Sequence, residues 1–319
     1  MQNRKTLIAG AGIAGTALAW QLLERGFEPV LIERAPAFRE GGYMIDVWGT
    51  GYDLVERYGL LDAARRRAYD FDRMAFVDAK GRQVSGFGGE AMRRAMQGRF
   101  FSIPRGDLAR VLYERIDGKV ETLYGASIEA LREDASGVEV TLSNGETRRF
   151  DLVIGAEGLR SRLRARVFGA EERFEKFLGY CAASFIAPDY PHRDEGIYLS
   201  HAVPGRQISR YAMRGGRTAF LFVFAEDAPP AAYDIAAQKA LIAARFGGDG
   251  WETPQILACL AAADELYFDN VSQIRMPHWS RGRVALIGDA AYCPSLLAGA
   301  GSAFAMLGAY VLAGELQRA

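Results

Sequence analysis

The sequence predicts an α/β protein in which a Rossmann-like nucleotide-binding domain is interrupted by an antiparallel-sheet domain. Residues 6–33 show the pattern of a strand, a glycine-rich turn, a helix and a second strand, the unit that builds parallel sheets. Residues 177–226 hold short, aromatic-rich strand patterns separated by Gly and Pro turns, which is typical of antiparallel sheets. Residues 284–303 return to an apolar strand, a loop of small residues and a helical pattern, so the first domain resumes at this end.

The composition limits the classes of function. The chain has 319 residues, 50% of them hydrophobic, which suffices for one large domain or two interlocked domains. The 39 basic and 39 acidic residues balance, so charge gives no reason to expect a nucleic acid or an anionic membrane as partner. No apolar run is long enough to span a bilayer, and no signal-peptide pattern opens the chain. We expect a cytoplasmic monomer or homodimer that binds a small molecule.

Cysteine and histidine usage argues against a metal site. Cys181, Cys259 and Cys293 are isolated, and the chain has only three histidines. Zinc sites and disulfide frameworks need closely spaced ligands, so we expect reduced thiols and no metal.

The first unit carries glycines at Gly-x-Gly-x-x-Gly spacing between the predicted strand 6–9 and helix 16–24. The first glycine permits the tight turn, the second lets a pyrophosphate approach the backbone, and the third lets the helix pack on the strand. The helix N-terminus adds N–H groups and the positive end of its dipole. Because such glycines also occur in turns without a ligand, the complete surrounding unit carries the prediction. The predicted cofactor-binding residues are Gly10, Gly12, Ile13, Ala14 and Gly15.

Glu33 ends the second strand of this unit, where the fingerprint requires an acid. A carboxylate there accepts hydrogen bonds from a ribose diol and repels a 2′-phosphate, so the ligand predicted for this end is FAD or NAD, not NADP. Arg34 is predicted to flank the adenine, with a solvated side chain as the alternative.

Less regular patterns connect the two ends of the nucleotide-binding domain. Residues 137–150 predict a hairpin around Asn144 and Gly145, a pair that favours a type I′ turn. Further helices are predicted at residues 51–58, 107–116, 236–245 and 254–263, and further strands at 120–123, 128–133 and 151–154.

A second ligand signature, GDAAYCPSLLAGAG, spans residues 288–301. FAD is longer than NAD, because its ribityl chain and isoalloxazine ring also need fixing. Asp289 can accept hydrogen bonds from ribityl hydroxyls, and the N–H groups of the small-residue loop can reach the flavin ring edge at a helix start. The alternative is that Asp289 only caps a helix. The predicted FAD-binding residues here are Gly288, Asp289, Ala298, Gly299, Ala300 and Gly301.

Together with GAEGLRSRLR at residues 155–164, these motifs run in an order that resembles, over the whole chain, the group A flavoprotein monooxygenases. This is the aromatic-hydroxylase type, of which para-hydroxybenzoate hydroxylase is a member. The resemblance implies a GR2-type FAD-binding domain, non-covalent FAD, and NADH or NADPH as co-substrate. It also implies hydroxylation of a small aromatic or polyketide-like substrate with O₂ through a flavin C4a-hydroperoxide.

The resemblance further implies roles for four arginines. Arg39 and Arg105 would contact FAD, and Arg160 and Arg164 would bind the phosphates of NAD(P)H. For each of them a solvated side chain is the alternative.

Three positions depart from the family pattern. Glu157 replaces an Asp, Tyr292 replaces a His, and Ala300 replaces a Gln. The backbone N–H groups survive these changes, so we expect FAD binding to survive as well. Two alternatives to a monooxygenase stay open, namely a flavin dehydrogenase or oxidase on the same fold and a degenerate FAD-binding protein that sequesters a ligand.

The aromatic strands are predicted to hold an apolar substrate against the flavin. Strand side chains alternate, so Tyr211 and Met213 share one face of their strand, and Phe220 and Phe222 share one face of theirs. Packing against helices is the alternative for either face. We name no catalytic side chain, because the chemistry belongs to the flavin. The predicted FAD-binding domain comprises residues 1–70, 100–176 and 270–319, and the substrate domain comprises 71–99 and 177–269.

Overall fold

A computed structural model describes residues 4–38, 43–230 and 234–319 of the chain. It confirms the predicted fold class, with a parallel sheet of the nucleotide-binding type and a large, mainly antiparallel sheet.

The strands in chain order are β1 (Lys5–Ala9), β2 (Glu28–Glu33), β3 (Met44–Trp48), β4 (Arg73–Val77), β5 (Gln83–Gly88), β6 (Phe100–Pro104), β7 (Glu121–Tyr124), β8 (Ile128–Asp134), β9 (Gly137–Leu142), β10 (Thr147–Phe150), β11 (Leu152–Gly155), β12 (Glu175–Pro188), β13 (Ile197–Val203), β14 (Arg206–Ala212), β15 (Arg217–Ala225), β16 (Tyr267–Ile274), β17 (Ser280–Arg281) and β18 (Val284–Leu286). The α-helices are α1 (Ile13–Leu23), α2 (Gly49–Arg57), α3 (Leu61–Arg67), α4 (Gly89–Ala95), α5 (Arg105–Tyr113), α6 (Arg162–Val167), α7 (Ile235–Phe246), α8 (Thr253–Ala262), α9 (Asp289–Tyr292) and α10 (Gly301–Arg318).

The parallel sheet has the strand order β17-β18-β11-β1-β2-β7. β1 pairs in parallel with both β11 and β2, and β18 pairs in parallel with β11. The glycine-rich turn, the GAEG segment and the GDAA segment follow β1, β11 and β18 respectively. Because parallel strands end at the same edge of a sheet, the pairing brings all three motifs to one edge.

The parallel sheet is buried on both faces. On one face, Leu18 of α1, Leu112 of α5 and Ala309 of α10 belong to the same buried cluster. On the other face, Val138 and Val140 of β9 pack with residues of β1 and β2. Burial on two sides explains why β1 and β2 read as continuous apolar runs.

The large sheet has the order β16-β12-β15-β14-β13-β4-β5. Its neighbours are antiparallel except β13 and β4, which run parallel. Helices α7 and α8 cover one of its faces, where Phe246, Ile256 and Leu260 are buried. β3 and β6 form an antiparallel ribbon in which Asp46 pairs with Ser102.

The hairpin of β9 and β10 forms, but the predicted type I′ turn is wrong. That turn needs positive φ at both central residues, whereas only Gly145 adopts it, with φ +86°. Instead, Gly145 N–H donates to Leu142 O at 2.9 Å, and Asn144 Oδ1 accepts Glu146 N–H at 3.0 Å. The asparagine therefore stabilises the loop through its side chain.

The large sheet extends beyond the predicted substrate segment. β12 begins at Glu175, before residue 177, and β16 ends at Ile274, after residue 269. The predicted domain limits therefore fall inside two paired strands, and the domain assignment itself stays a prediction. Helices α3 and α4 and the β3–β6 ribbon were not predicted.

Candidate active site

The three motifs contact one another at the edge of the parallel sheet. A Cβ built on Gly10 would lie 2.4 Å from the carbonyl oxygen of Ala156, in the GAEG segment. A Cβ on Gly288 would lie 2.9 Å from Cβ of Ala14, in the first turn of α1. Both glycines also have positive φ, +108° and +62°. Glycine is therefore required at each position for two reasons, the close contact and the backbone conformation. The N-terminal and C-terminal signatures therefore belong to one site.

The glycine-rich turn is built to bring α1 close to β1 and leave its N-terminus open. A Cβ on Gly15 would lie 1.8 Å from Gly10 O, whereas the same position on Gly12 has no atom within 4 Å. Gly12 is the N-cap of α1, with no side-chain hydrogen bond there. The first-turn amides, including those of Ile13 and Ala14, lack intrahelical acceptors. Such a helix start fits a pyrophosphate.

Glu33 is fixed beside this turn by backbone groups. Its Oε2 accepts Ala11 N–H at 3.0 Å and its Oε1 accepts Ala35 N–H at 2.8 Å. Each oxygen keeps lone-pair capacity for a ribose hydroxyl. Arg34 is exposed, and Arg39 lies outside the described residues.

Asp289 is a partly buried carboxyl group that accepts no backbone hydrogen bond within the described part of the chain. Burial raises its pKa, the Arg105 guanidinium opposes that rise, and the Cys293 thiol is its hydrogen-bond partner. A Cβ on Gly301 would lie 3.6 Å from Asp289 Oδ1, so the carboxylate lies beside the start of α10. Asp289 does not cap the helix, which was the alternative, so its carboxylate oxygens keep acceptor capacity for a ligand besides the Cys293 thiol.

Arg105 begins α5 and supplies a positive charge to the same region. Its N–H donates to the carbonyl oxygen of Tyr43 at 3.0 Å. Burial raises the pKa of the Tyr43 hydroxyl, against the effect of Arg105. The ring of Tyr43 lies 5.2 Å from that of Tyr267, centre to centre.

The loop before α10 consists of small residues, so its backbone is open to a ligand. Gly299 is left-handed at φ +63°, Ala300 is the N-cap of α10, and Gly301 is the first residue of the helix. Ser295 has φ +117°, a strained value for a residue with a side chain. Its hydroxyl accepts Leu297 N–H at 3.2 Å, which holds the turn that carries Ala298.

The structure explains two of the three departures from the family pattern. Glu157 Oε2 accepts hydrogen bonds from the Ser161 hydroxyl and the Leu163 N–H, both at 2.8 Å, so it stabilises the start of α6. The Tyr292 hydroxyl fills space above Gly308, where a Cβ would lie 1.7 Å from it. Ala300 keeps its backbone in the loop, and nothing in the structure accounts for the loss of the usual amide.

The two arginines predicted for NAD(P)H are engaged with protein. Arg164 is fully buried, and donates to the carbonyl oxygens of Ala290 and Leu159 at 3.0 and 2.7 Å. A dinucleotide cannot reach it in this structure, so the prediction for Arg164 is not supported. Arg160 is half-exposed but lies within 3.6 Å of three carboxylates, which would repel a phosphate; these are Glu171, Glu175 and Asp269.

The predicted substrate residues lie on opposite faces of the large sheet. Phe220 and Phe222 belong to the buried cluster with Phe246 of α7, and the rings of Phe222 and Phe246 are 5.1 Å apart. Their prediction as substrate contacts is wrong, because the helical layer covers that face. Tyr211 and Met213 share a second cluster with Phe71. The Tyr211 hydroxyl donates to Asp70 O at 3.1 Å, so its proton is not available to a ligand.

Residues of β3 line two cavities, of which only the first also touches the face that carries Tyr211. One is water-sized, about 10 Å³, and touches Tyr43, Tyr198 and Tyr211. The other measures about 180 Å³ and lies between β3, the start of α2 and the loop that leads into α10. Sequence reasoning missed Tyr43, Asp46 and Tyr198. For Asp46 the available signal was a polar residue inside the otherwise apolar strand pattern of β3.

Neither a metal site nor a membrane span is found in the described ranges. No group of three or more His, Cys, Asp or Glu side chains is placed to hold a metal ion. None of the helices within those ranges has the length and apolar character needed to cross a bilayer.

A pyrophosphate-type helix start, a ribose-type carboxylate and a second carboxylate beside a helix start define a flavin-nucleotide site. The family model described as "FAD binding domain" matches residues 3–319. An uncharacterised protein of Mycobacterium tuberculosis is 39% identical over 99% of this chain and 86% of its own length. A flavin-dependent monooxygenase of Legionella longbeachae is 34% identical, covering 99% of this chain and 81% of its own. The solved structure of tetracycline destructase Tet(55) is 32% identical, with a TM-score of 0.89, and the match covers 99% of this chain and 81% of that one. The chain therefore belongs to the FAD-dependent monooxygenases, and its cofactor is FAD.

Proposed function

We propose that this protein hydroxylates a small aromatic or polyketide-like substrate, with NADH or NADPH as reductant and O₂ as the oxygen donor. The observation that carries the proposal is the contact of the three motifs, Gly10 with Ala156 and Ala14 with Gly288, at one sheet edge. The relatives' name supports oxygen insertion, and the name of Tet(55) makes tetracycline the first substrate to test.

We assign different parts of FAD to different residues of this chain. We assign the pyrophosphate to the start of α1, with Gly10, Gly12 and Gly15, and the adenosine ribose to Glu33. Asp289 would accept hydrogen bonds from the ribityl chain. The other residues proposed to contact FAD are Ile13, Ala14, Arg34, Arg105, Gly288, Ala298, Gly299, Ala300 and Gly301. Bound FAD would supply the redox chemistry, and the protein would orient the substrate and exclude water.

The reductant has no nucleotide domain of its own in this proposal. Arg164 is buried and Arg160 is surrounded by carboxylates, so we place the NAD(P)H phosphates on neither. We also propose that the protein acts in the cytoplasm, because Cys181, Cys259 and Cys293 are all free thiols, and that it is a monomer or homodimer.

The test follows NADH and NADPH oxidation by the FAD-loaded protein in air, with tetracycline and a panel of phenols. A ligand that accelerates oxidation and gains one oxygen atom from isotopically labelled O₂ supports the proposal. Oxidised product without labelled oxygen points to a dehydrogenase or oxidase. Ligand binding with no NAD(P)H consumption points to the sequestering alternative.

A further inference from the structure

Cys293 lies at the end of the short helix that Asp289 begins. Helix α9 runs from Asp289 to Tyr292, and Cys293 is its C-cap. Residues four apart on a helix lie on the same side, so the two side chains are neighbours. The thiol is accordingly a hydrogen-bond partner of the carboxyl group. Cys293 is 7% exposed, whereas Asp289 is only partly buried.

The thiol is also fixed against the large sheet. Its Sγ lies 3.6 Å from the carbonyl oxygen of Ser272, and the Cys293 carbonyl oxygen accepts Ile274 N–H at 3.0 Å. Both Ser272 and Ile274 belong to β16. Cys293 packs with Phe174 and Ile274 in a small buried cluster. The sulfur therefore has a defined position between a strand of the large sheet and the carboxyl group that we assign to FAD.

The thiol has one proton for two acceptors, the Asp289 carboxyl group and the Ser272 carbonyl group. Burial raises the pKa of Cys293 to about 12, so the thiol is a protonated donor at neutral pH. An ionised carboxylate accepts a hydrogen bond more strongly than a neutral carbonyl group does. The proton therefore points to Asp289 while the carboxylate is ionised. It turns to Ser272 when the carboxyl group is protonated, and the sulfur need not move.

Few groups of the protein favour the ionised form of Asp289. The titratable and charged groups that face it within the described ranges are Arg105 of α5, Tyr43 before β3, Tyr267 of β16, and Tyr292 and Cys293 at α9. Burial raises the pKa of Asp289, and of these groups the Arg105 guanidinium and the Cys293 thiol oppose the rise. The thiol is thus the neutral donor that stabilises this carboxylate in the described structure.

We propose that Cys293 is a positioning residue for FAD, because its thiol holds the Asp289 carboxylate in the orientation that accepts hydrogen bonds from the ribityl chain. The proposal rests on the proposed contact of Asp289 with FAD and adds a residue that acts through it. Each carboxylate oxygen accepts more than one hydrogen bond, so the thiol and a ribityl hydroxyl can share the group. A carboxylate that is already held loses less side-chain freedom when the cofactor binds.

The test measures the FAD affinity of the apoprotein by fluorescence titration at a series of pH values. Cys293→Ala should weaken FAD binding about threefold to tenfold, because a thiol is a weak donor but its acceptor is charged. The fall in affinity at low pH should also move to higher pH, because the lost donor favoured the ionised form of Asp289. Cys293→Ser keeps a donor and should restore most of both properties. Wild-type behaviour of Cys293→Ala, or equal defects in the two variants, would overturn the proposal.

A double-mutant cycle separates this role from the packing of a buried thiol. In the Asp289→Ala background, Cys293→Ala should weaken FAD binding no further, and a full additional loss would contradict the proposal. Cys181→Ala is the matched control, because it removes another buried thiol, which donates to Asn270 Oδ1 at 3.8 Å, and it should bind FAD as the wild type does. Unchanged affinity in Asp289→Ala would remove the contact on which the proposal rests. Weakened binding by Asp289→Ala but not by Cys293→Ala would overturn the positioning role alone.

Infrared spectroscopy of the apoprotein gives a measurement that does not depend on FAD. The S–H stretching band of Cys293 is identified by its loss in Cys293→Ala or Cys293→Ser. It should move to higher frequency in Asp289→Ala, because the proton is left with a weaker acceptor. It should move in the same direction when the wild type is acidified until Asp289 is protonated. A band that neither change affects would show that the thiol donates to Ser272 throughout, and the proposal would be wrong.

Discussion

The two faces of the large sheet use the same strands for different purposes. The face under α7 and α8 presents rings without polar tips, and the Phe185 and Phe220 rings stack 4.9 Å apart. The opposite face carries hydroxyl-bearing side chains, and the hydroxyls of Ser200 and Ser209 lie 2.8 Å apart. The helix-covered face stabilises the fold, and the hydroxyl-bearing face adjoins the small cavity that Tyr198 and Tyr211 line. Whether a ligand can contact a residue of this sheet therefore depends on the face to which its side chain points, more than on whether the side chain is aromatic.

The largest expected effect is on stability, from the helix-covered face. Phe222→Ala should lower the free energy of unfolding by about 3–5 kcal/mol, because it removes a fully buried ring. Urea unfolding of the FAD-loaded protein measures the change. Leu221→Ala, on the other face of the same strand and only partly buried, is the matched control and should cost clearly less. Equal losses for the two variants would contradict the division between the faces.

The next effect is on cofactor affinity, at the edge of the parallel sheet where the three motifs meet. Asp289→Ala should weaken FAD binding by about 1.5–3 kcal/mol for each charge-assisted hydrogen bond lost. Fluorescence titration of FAD into the apoprotein measures it. Asp264→Ala, at an exposed position, should bind FAD as the wild type does. Indistinguishable affinities for both variants would remove Asp289 from the FAD site.

The pH dependence of FAD binding should report the same carboxyl group. Burial raises the pKa of Asp289 in the ligand-free protein, and hydrogen bonds from FAD hydroxyls would favour its ionised form. Affinity is therefore full above the raised pKa and falls as the pH drops through it, by at most about tenfold per pH unit. The fall begins at a higher pH than an ordinary aspartate would give. Asp289→Asn should flatten this part of the profile, and an unchanged profile in that variant would assign the titration to another group.

The smallest expected effect is that of Tyr211→Phe. The substitution removes the hydrogen bond to Asp70 O, which is worth about 0.5–1.5 kcal/mol of stability. Ligand stimulation of NAD(P)H oxidation should hardly change, because the hydroxyl is already occupied. A large change in ligand affinity with unchanged stability would show that the hydroxyl serves the substrate instead.

Local patterns predicted the strand, glycine-rich turn and helix of the nucleotide-binding end, because these follow from residue spacing alone, while the FAD contacts of its glycines and Glu33 stay predictions. The same reasoning placed Phe220 and Phe222 together correctly but could not say which face the helices α7 and α8 cover, since that depends on tertiary packing. It also could not foresee that Arg164 donates to carbonyl groups of distant segments, including Ala290 O, 126 residues away. Asp46 was overlooked because its signal is a single acid within the apolar pattern of β3, without the repeated spacing that marks a motif.

The close contact between the Tyr292 hydroxyl and Gly308 restricts which substitutions the two positions can accept. A methyl group at position 308 would collide with the tyrosine hydroxyl at 1.7 Å and with ring carbon Cζ at 2.9 Å. Any larger residue at 308 therefore requires the Tyr292 ring to move, or a shorter side chain at position 292. The effects of substitutions at positions 292 and 308 are therefore coupled, because the side chain at one position decides which residues fit at the other.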